Sequence, residues 1–386
     1  MSIEVYGICF RQYQTICART LPIYGAVMVS VVIAMPTDHG RAVSVGSQIR
    51  SSNRPVPLSD YEALIDLARH THNWDVRIVA KPYFHFSSSK TSIRVLRQTF
   101  QEFKFCKSAL KTVGDCDALL SWGDRIGLPA SLMLNSGNLT HIIMSYDFKP
   151  KAKKIAYKYL RQLQRVDRFL VLTTAQKQFW EREIGISENS IDVVGGQVDI
   201  THFDPRYNHP VDDHLIVTAG VVYRDYPTLI RAVAGIPKVR LVIDPCSPWE
   251  DVSANGLDRL PDNVTITTNS YGKIRDFYAK ASIIAVPIHN TMLCAAGMTL
   301  VLQAMAMGKP VIATATNGLG EILVHNTNCL VVAPGDEAGW RASIRRLSED
   351  VAFAAELGAN ARLWVMANAS VDLWAERVVG SISQVI

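Results

Sequence analysis

The chain has 386 residues, and its seven cysteines, Cys9, Cys17, Cys106, Cys116, Cys246, Cys294 and Cys329, include no C-x-x-C pair. An odd count without paired spacing argues against a disulfide framework or a zinc site and for a reducing compartment, most thiols acting as small buried hydrophobes. Long apolar runs are also missing. The stretch Ile23 to Met35 is 13 residues, short of the roughly 20 needed to cross a bilayer. Its Val, Ile and Met content, followed by Pro36-Thr37-Asp38-His39-Gly40, reads as a buried parallel strand running into a loop. That loop lacks the G-x-G-x-x-G turn of a dinucleotide-dependent oxidoreductase. Gly308-Lys309 is followed by Pro310 and closes a helix, where a P-loop would open one. No D-x-D or His-rich spacing suggests a metal site, and His70 and His72, two apart on an expected helix, point to different sides. There is no short-period repeat or low-complexity segment, and residues 1–20 carry no assignable role.

At this length and with 48% hydrophobic residues, the chain can bury two cores of ordinary size. Charge is uneven. Residues 1–168 hold 23 Lys+Arg against 12 Asp+Glu, out of totals of 40 and 35, so the first part is basic and the remainder acidic. The densest basic run, Lys149, Lys151, Lys153, Lys154, Lys158, Arg161, Arg165 and Arg168, is interleaved with Ile155, Tyr157, Leu160 and Leu163. It is either an amphipathic helix seated on anionic lipid or a solvated helix face over a core stripe. Apolar strands alternate with helical patterns along the first half, at Gly25–Met35, Ser59–Thr71, Val76–Ala80, Ser92–Val113, Ala118–Ser121, Ile126–Leu134 and Ile142–Ser145. The second half repeats the rhythm, with strands near 169–172, 191–194, 215–218, 239–243, 264–267, 283–286, 311–313 and 329–332. Helices are expected at 228–234, 274–281, 298–307 and 337–347. Alternation of this kind predicts two Rossmann-like doubly wound α/β domains, here 1–190 and 191–367, the first joined by a C-terminal helix at about 368–386.

The most informative stretch is LCAAGMTLVLQAMAMGKP, residues 293–310. Cys294, Ala295, Ala296 and Gly297 carry little bulk just before Met298 and Thr299, so a ligand can approach the backbone where a helix begins. The N–H groups of a first helical turn have no internal partner and a partial positive charge, which suits phosphate. The same pattern also serves as a packing device. In open parallel sheets ligands collect at the carboxyl ends of strands, which selects Gly220 and Arg224, then Ser247, then Tyr271 and Gly272, then the 294–299 loop.

Several segments taken in order, RVDRFLVLTTAQKQFW, DVVGGQVDITHFDP, GVVYRDYPTLIRAV, LPDNVTITTNSYGKIRDFYAKASIIAVP and AAGMTLVLQAMAMGKPVIAT, resemble the retaining family 4 (group 1) glycosyltransferases of GT-B fold over about residues 165–335. DALLSWGDRIGLP and HIIMSYDF match more loosely. The resemblance implies two Rossmann-like domains facing each other across a cleft, and transfer of a hexose-type sugar from a nucleotide-diphosphate sugar, UDP- or GDP- rather than ADP-linked, to a hydroxyl acceptor with retention. No metal or further cofactor and no nucleic acid would be involved. The chain would be cytoplasmic, with residues 149–168 as a peripheral contact at the inner membrane face.

By position, Arg224 would meet the donor diphosphate, Thr299 and the backbone of Ala296, Gly297 and Met298 the distal phosphate, and Gly220, Ser247, Tyr271 and Gly272 the nucleotide. Gln303 would meet the ribose, Tyr146 and Asp147 the transferred sugar, and Asp38, His39, Asp124 and Arg125 the acceptor. Three departures stand out. Ala295 and Gln303 replace the glutamates of the family's E-x7-E motif, and Tyr146 replaces a histidine. They leave open a second reading, a degenerate relative that binds a nucleotide sugar or glycan without turning it over.

Overall fold

The computed structural model describes residues 6–7, 14–17, 29–37, 60–82, 103–107, 110–111, 116–134, 139–146, 166–207, 211–245, 260–267, 274–289 and 295–386. Two compact units emerge, one ending at Val194 and resuming over Ala375–Ile386, the other Gly195–Trp374.

The first unit is built on β1 (Tyr6–Gly7), β2 (Gln14–Cys17), β3 (Ser30–Thr37), α1 (Asp60–His70), β4 (Asp75–Pro82), β5 (Ala118–Trp122), α2 (Asp124–Met133), β6 (Thr140–Ser145), β7 (Arg168–Val171), α3 (Thr174–Phe179) and β8 (Ile191–Val193). Its sheet runs β1-β2-β4-β3-β5-β6-β7-β8, parallel from β4 onward, with β2 antiparallel to both β1 and β4. Among the described residues the expected alternation is present, with strand and helix ends shifted by a few residues, while most of the helix expected at Ser92–Val113 lies outside them. β1 and β2 were not anticipated. The boundary also moves: Ile191–Val193 forms an edge strand beside β7, so the second unit begins at Gly195 rather than at 191.

Residues buried on both faces of the central strands, Val32, Leu120, Ile142 and Leu170 among them, explain the near-continuous apolar runs. Phe169 stacks on the buried Trp180, ring centroids 4.9 Å apart. At the amino ends of the strands polar groups tie the sheet together. The Ser30 amide donates to Asp117 Oδ2 at 2.7 Å, Arg77 Nε to Asp75 Oδ2 at 2.9 Å, and Arg77 Nη2 to the Ser30 hydroxyl at 3.3 Å. Of the basic run at 149–168 only Arg168 lies among the described residues. It joins β7 to the chain before β8, donating to Asn189 O at 2.8 Å and to Asp192. No helix among the described residues is long and apolar enough to cross a membrane.

The second unit contains β9 (Asp212–Ala219), α4 (Tyr226–Val233), β10 (Arg240–Asp244), β11 (Val264–Ile266), α5 (Ile274–Lys280), β12 (Ala281–Val286), α6 (Met298–Ala306), β13 (Val311–Thr314), β14 (Leu330–Val332), α7 (Glu337–Glu349) and α8 (Val351–Asn368). Its parallel sheet is ordered β11-β10-β9-β12-β13-β14. Helix α8 escaped the sequence reading because it has no clean apolar stripe. Val351, Leu363 and Met366 are exposed on it, whereas Leu357, Ala361 and Val365 are buried. α9 (Val371–Ser383) begins in the second unit and continues into the first, where Arg377 donates to Val194 O and the Thr140 hydroxyl donates to Val385 O at 3.1 Å.

Two small-residue contacts set the packing of α6. A Cβ added to Gly358 of α8 would meet the carbonyl of Gly308, just past the end of α6, and one added to Gly196 would meet the Met298 side chain. Arg362 completes the corner by donating to the carbonyls of Ile200 at 3.2 Å, Phe203 at 3.1 Å and Ala306 at 2.6 Å.

Lys309, read in sequence as part of a helix stop, also closes a second helix. Its Nζ donates to Ala279 O at 2.6 Å and Ala281 O at 2.8 Å at the carboxyl end of α5, where a cation complements the helix dipole. Burial nevertheless pulls its pKa from 10.5 down to about 8.

Gly358→Ala is expected to cost about 1–3 kcal/mol, because a backbone carbonyl cannot yield as a side chain can; urea denaturation measures it. The pKa of Lys309 is lower folded than unfolded, so its charged form carries a folding penalty below pH 8 that fades as pH rises towards 10.5. The stability of the native protein relative to Lys309→Met should therefore increase across that window, as read by paired melts at stepped pH.

Candidate functional site

In the second sheet β9 lies between β10 and β12, so strand order reverses there and the carboxyl ends of β9 and β12 border the crevice where ligands of doubly wound sheets bind. Both ends are held by the loop after β9. Arg224 pairs with Ile288 in an isolated antiparallel bridge, the Asp225 amide donates to Pro287 O at 3.1 Å and the His289 amide to Tyr223 O at 2.9 Å. Asp225 Oδ1 then caps α4, accepting from the Thr228 amide at 3.2 Å, and Tyr226-Pro227 opens the helix as a proline is suited to do. The tight path demands positive φ at Gly220 (94°) and at Tyr223 (54°), the latter 43% exposed at the tip.

Within this loop the Arg224 side chain folds back. Nε donates to Ala219 O at 2.9 Å and Nη1 to Val222 O at 3.1 Å. The guanidinium therefore lies between two glycines. A Cβ on Gly220 would come within 2.7 Å of Nη2, and one on Gly297 within 3.6 Å of Nη1. Gly297 is the N-cap of α6, in the left-handed region (φ 84°) and without a side-chain cap, and its missing Cβ faces Ile288 at 2.6 Å and Val286 at 2.8 Å. Packing against β12 as well as backbone conformation thus requires glycine here. No acidic residue sits in the first turn of α6. A guanidinium beside the positive end of a helix concentrates like charge, which a bound anion relieves.

Beneath the loop, Thr218 and Asp244 are wholly buried and Tyr226 nearly so. The Tyr226 hydroxyl donates to Gly220 O, and burial pushes the phenol up to about 12. Tyr226 lay inside the GVVYRDYPTLIRAV segment and was given no role there. Its signal was a polar-tipped aromatic at the first helical position, six residues after a glycine that must turn sharply.

The structure brings together Gly220, Arg224, Ala296, Gly297, Met298 and Thr299. Thr299 is exposed at the helix start, whereas Ala296 and the Met298 side chain are buried, so only their backbone can serve a ligand. Gln303 is 5% exposed on α6. Ser247, Tyr271 and Gly272 lie outside the described residues.

In the first unit the expected residues divide. Asp124 is 4% exposed and accepts from the Ser145 hydroxyl at 3.0 Å, fastening the start of α2 to the end of β6. Arg125 is exposed beside it. Tyr146 is half-buried and pairs with Trp122, ring centroids 6.0 Å apart and planes at 40°. Trp122 was not singled out in the sequence; it ends β5, one residue beyond the strand expected at Ala118–Ser121. Asp38, His39 and Asp147 lie outside the described residues. Among the described residues no group of three or more His, Cys, Asp or Glu side chains is placed to hold a metal ion.

Two doubly wound, mainly parallel sheets in one chain are the architecture of the GT-B glycosyltransferase fold. Solved structures of that fold match nearly the whole chain. Sucrose-phosphate synthase from Thermosynechococcus elongatus is 16% identical over 92% of this chain and 98% of its own, TM-score 0.66. HepE of Anabaena in complex with UDP is 14% identical over 92% of this chain and all of its own, TM-score 0.66.

Residues 213–350, within the second unit, match the family model for "Glycosyl transferases group 1". Among curated proteins, a D-inositol 3-phosphate glycosyltransferase of Xylanimonas cellulosilytica is 26% identical over 51% of this chain and 52% of its own length. The lipopolysaccharide core biosynthesis glycosyltransferase LpsD of Rhizobium meliloti is 28% identical over 39% of this chain and 43% of its own. The chain spans about half the length of the curated relatives it matches.

Gly220→Ala should force a side chain into positive φ and displace the Arg224 guanidinium. A loss of about 1–3 kcal/mol is expected, measured as a lowered melting temperature.

Proposed function

We propose that this chain is a glycosyltransferase that moves a hexose-type sugar from a nucleoside-diphosphate sugar to a hydroxyl acceptor with retention of anomeric configuration. The observation that carries the reading is the convergence of the Arg224 guanidinium on the uncapped start of α6, at the strand-order reversal of the unit that matches the group 1 model. A guanidinium fork suits two neighbouring phosphate oxygens, and the amides of the first helical turn suit the distal phosphate.

In retaining transfer of this kind the diphosphate leaves on the face from which the acceptor hydroxyl attacks. Stabilising the negative charge that develops on the leaving oxygen is then the main catalytic term. Arg224 and the backbone at 297–299 are the groups that supply it. UDP is favoured as the carrier because HepE of Anabaena, which shares this fold, was solved with UDP and with UDP-glucose.

A second reading, a degenerate relative that binds without turnover, is favoured by one pair of observations: Ala295 offers no carboxylate, and Gln303 is buried.

Calorimetric titration with UDP, GDP and ADP should give selective binding of one nucleotide. Arg224→Ala should weaken it about tenfold or more, as loss of charge-assisted hydrogen bonds implies, and Arg224→Lys should restore only part because the fork is lost. Unchanged affinity in Arg224→Ala would sink the diphosphate assignment. Nucleotide binding without release of nucleoside diphosphate from any sugar donor, over a panel of hydroxyl acceptors, would favour the second reading. The anomeric configuration of a product, read by NMR, decides retention.

A further inference from the structure

We propose that the solvent face of α8 pairs with the same face of a second copy of this chain, as an antiparallel helix pair about a two-fold axis. The inference goes beyond the transfer reading and does not depend on it. One side of α8 is committed to its own unit. Leu357 joins the core of the second unit, Ala361 and Val365 are buried beside it, and Gly358 closes on the carbonyl of Gly308. The helix is therefore fixed in place. Its other side is exposed and apolar: Leu363 is 64% exposed and Met366 46%, with Ala352, Ala355 and Ala359 exposed in line with them. At 3.6 residues per turn these five positions fall within a stripe about 80° wide, a single face of the helix.

The order of those residues selects the occupant. Their spacing is three, four, four and three, which reads the same in both directions about Ala359. An antiparallel copy therefore lays its stripe on this one with Ala359 at the axis, the self-complementary arrangement of a two-fold interface. Size follows the same symmetry. Small residues fill the amino half of the stripe and large ones the carboxyl half, so Leu363 meets the partner's Ala355 and Met366 meets the partner's Ala352. Alanines let the two backbones approach, and the larger side chains fill the spaces that the alanines leave.

Charge agrees with this pairing. No basic residue stands in the last turn of α8, so the negative end of its dipole has no side-chain complement within the helix. At the opposite end the exposed Arg346 guanidinium lies over the Phe353 ring, 3.9 Å from its centroid. Antiparallel pairing carries that cation, and the positive amino end of the helix, towards the partner's carboxyl end. A lipid surface fits less well, because interfacial helices border their apolar face with Lys and Arg, whereas the charge on the exposed side of α8 is Glu356. The 18-residue helix is about 27 Å long, and one face of that length buries roughly half of the ~800 Å² per partner of a standard interface. The pair is accordingly a weak, concentration-dependent dimer, with a Kd of about 10–100 μM.

Sedimentation velocity on the full chain from about 1 to about 500 μM should show reversible passage from monomer to dimer. Ala359→Glu sets two like charges at the axis and should weaken the dimer by at least about tenfold. Ala355→Leu adds apolar surface yet should weaken it about fivefold, because it fills the space that receives the partner's Leu363. Combining Ala355→Leu with Leu363→Ala exchanges the large and small positions and should recover most of that loss. These positions are exposed, so each variant should melt as the native protein does. If Ala359→Glu melts early, the exchange at 355 and 363 carries the comparison.

The pair is overturned if the chain stays monomeric throughout the range, or if a dimer is indifferent to Ala359→Glu. It is equally overturned if Ala355→Leu tightens association, the mark of general stickiness without register. A monomer that floats with phosphatidylglycerol vesicles, and loses that in Leu363→Gln, assigns the face to lipid and overturns it as well. Dimerisation in the expected pattern by a chain that binds no nucleotide would support the pair and count against the transfer reading, so the two failures are distinguishable.

Discussion

The backbone bridge between Arg224 and Ile288 is the contact on which the candidate donor site depends. It joins the loop after β9 to the chain leaving β12, at the place where the strand order reverses. A parallel sheet ends in loops that would otherwise each find their own path. Here two loops are paired to each other, and the side chains they carry inherit a fixed separation. Gly220, Arg224 and Gly297 come together because of this pairing, although more than seventy residues separate the first from the last. Beneath it the Tyr226 hydroxyl on Gly220 O and the Asp225 cap on α4 anchor the loop from the helix side.

A second constraint is close backbone approach. Gly297 against Ile288, Gly196 against Met298 and Gly358 against Gly308 place α6 nearer to its neighbours than any side chain would permit. Buried Leu300, Val301, Leu302, Ala304, Met305 and Ala306 then fill the remaining surroundings of this helix. A helix buried on nearly every side has little freedom to shift, and its amino end is held steady as a consequence.

Much of this organisation was legible in the residues. Alternating apolar runs and helical patterns gave the two doubly wound units, because strands buried on both faces leave continuous Val, Ile and Leu tracts whatever the tertiary details. The 293–310 stretch announced the start of α6, and position after a strand selected Gly220 and Arg224. What could not be read was which way a side chain turns. Asp124 looked like a polar group at a strand end, but its carboxylate faces Ser145. Gln303 sat at a motif position, but it is buried, as is nearly all of its helix. Trp122 carried no role of its own in the sequence, and its pairing with Tyr146 shows only in the structure. Helix α8 was hidden by its own composition, since Leu363 and Met366 interrupt the polar face that periodicity looks for.

The folded-back posture of Arg224 has a thermodynamic corollary. A free arginine side chain loses up to about 2 kcal/mol of rotamer entropy when it is immobilised. In this chain the carbonyls of Ala219 and Val222 hold the guanidinium before any ligand arrives, so that loss belongs to the folding of the loop and not to the arrival of an anion. Anion capture at this position is then expected to proceed with a small conformational-entropy term, its heat arising mainly from desolvation and from hydrogen bonds that need no rearrangement to form.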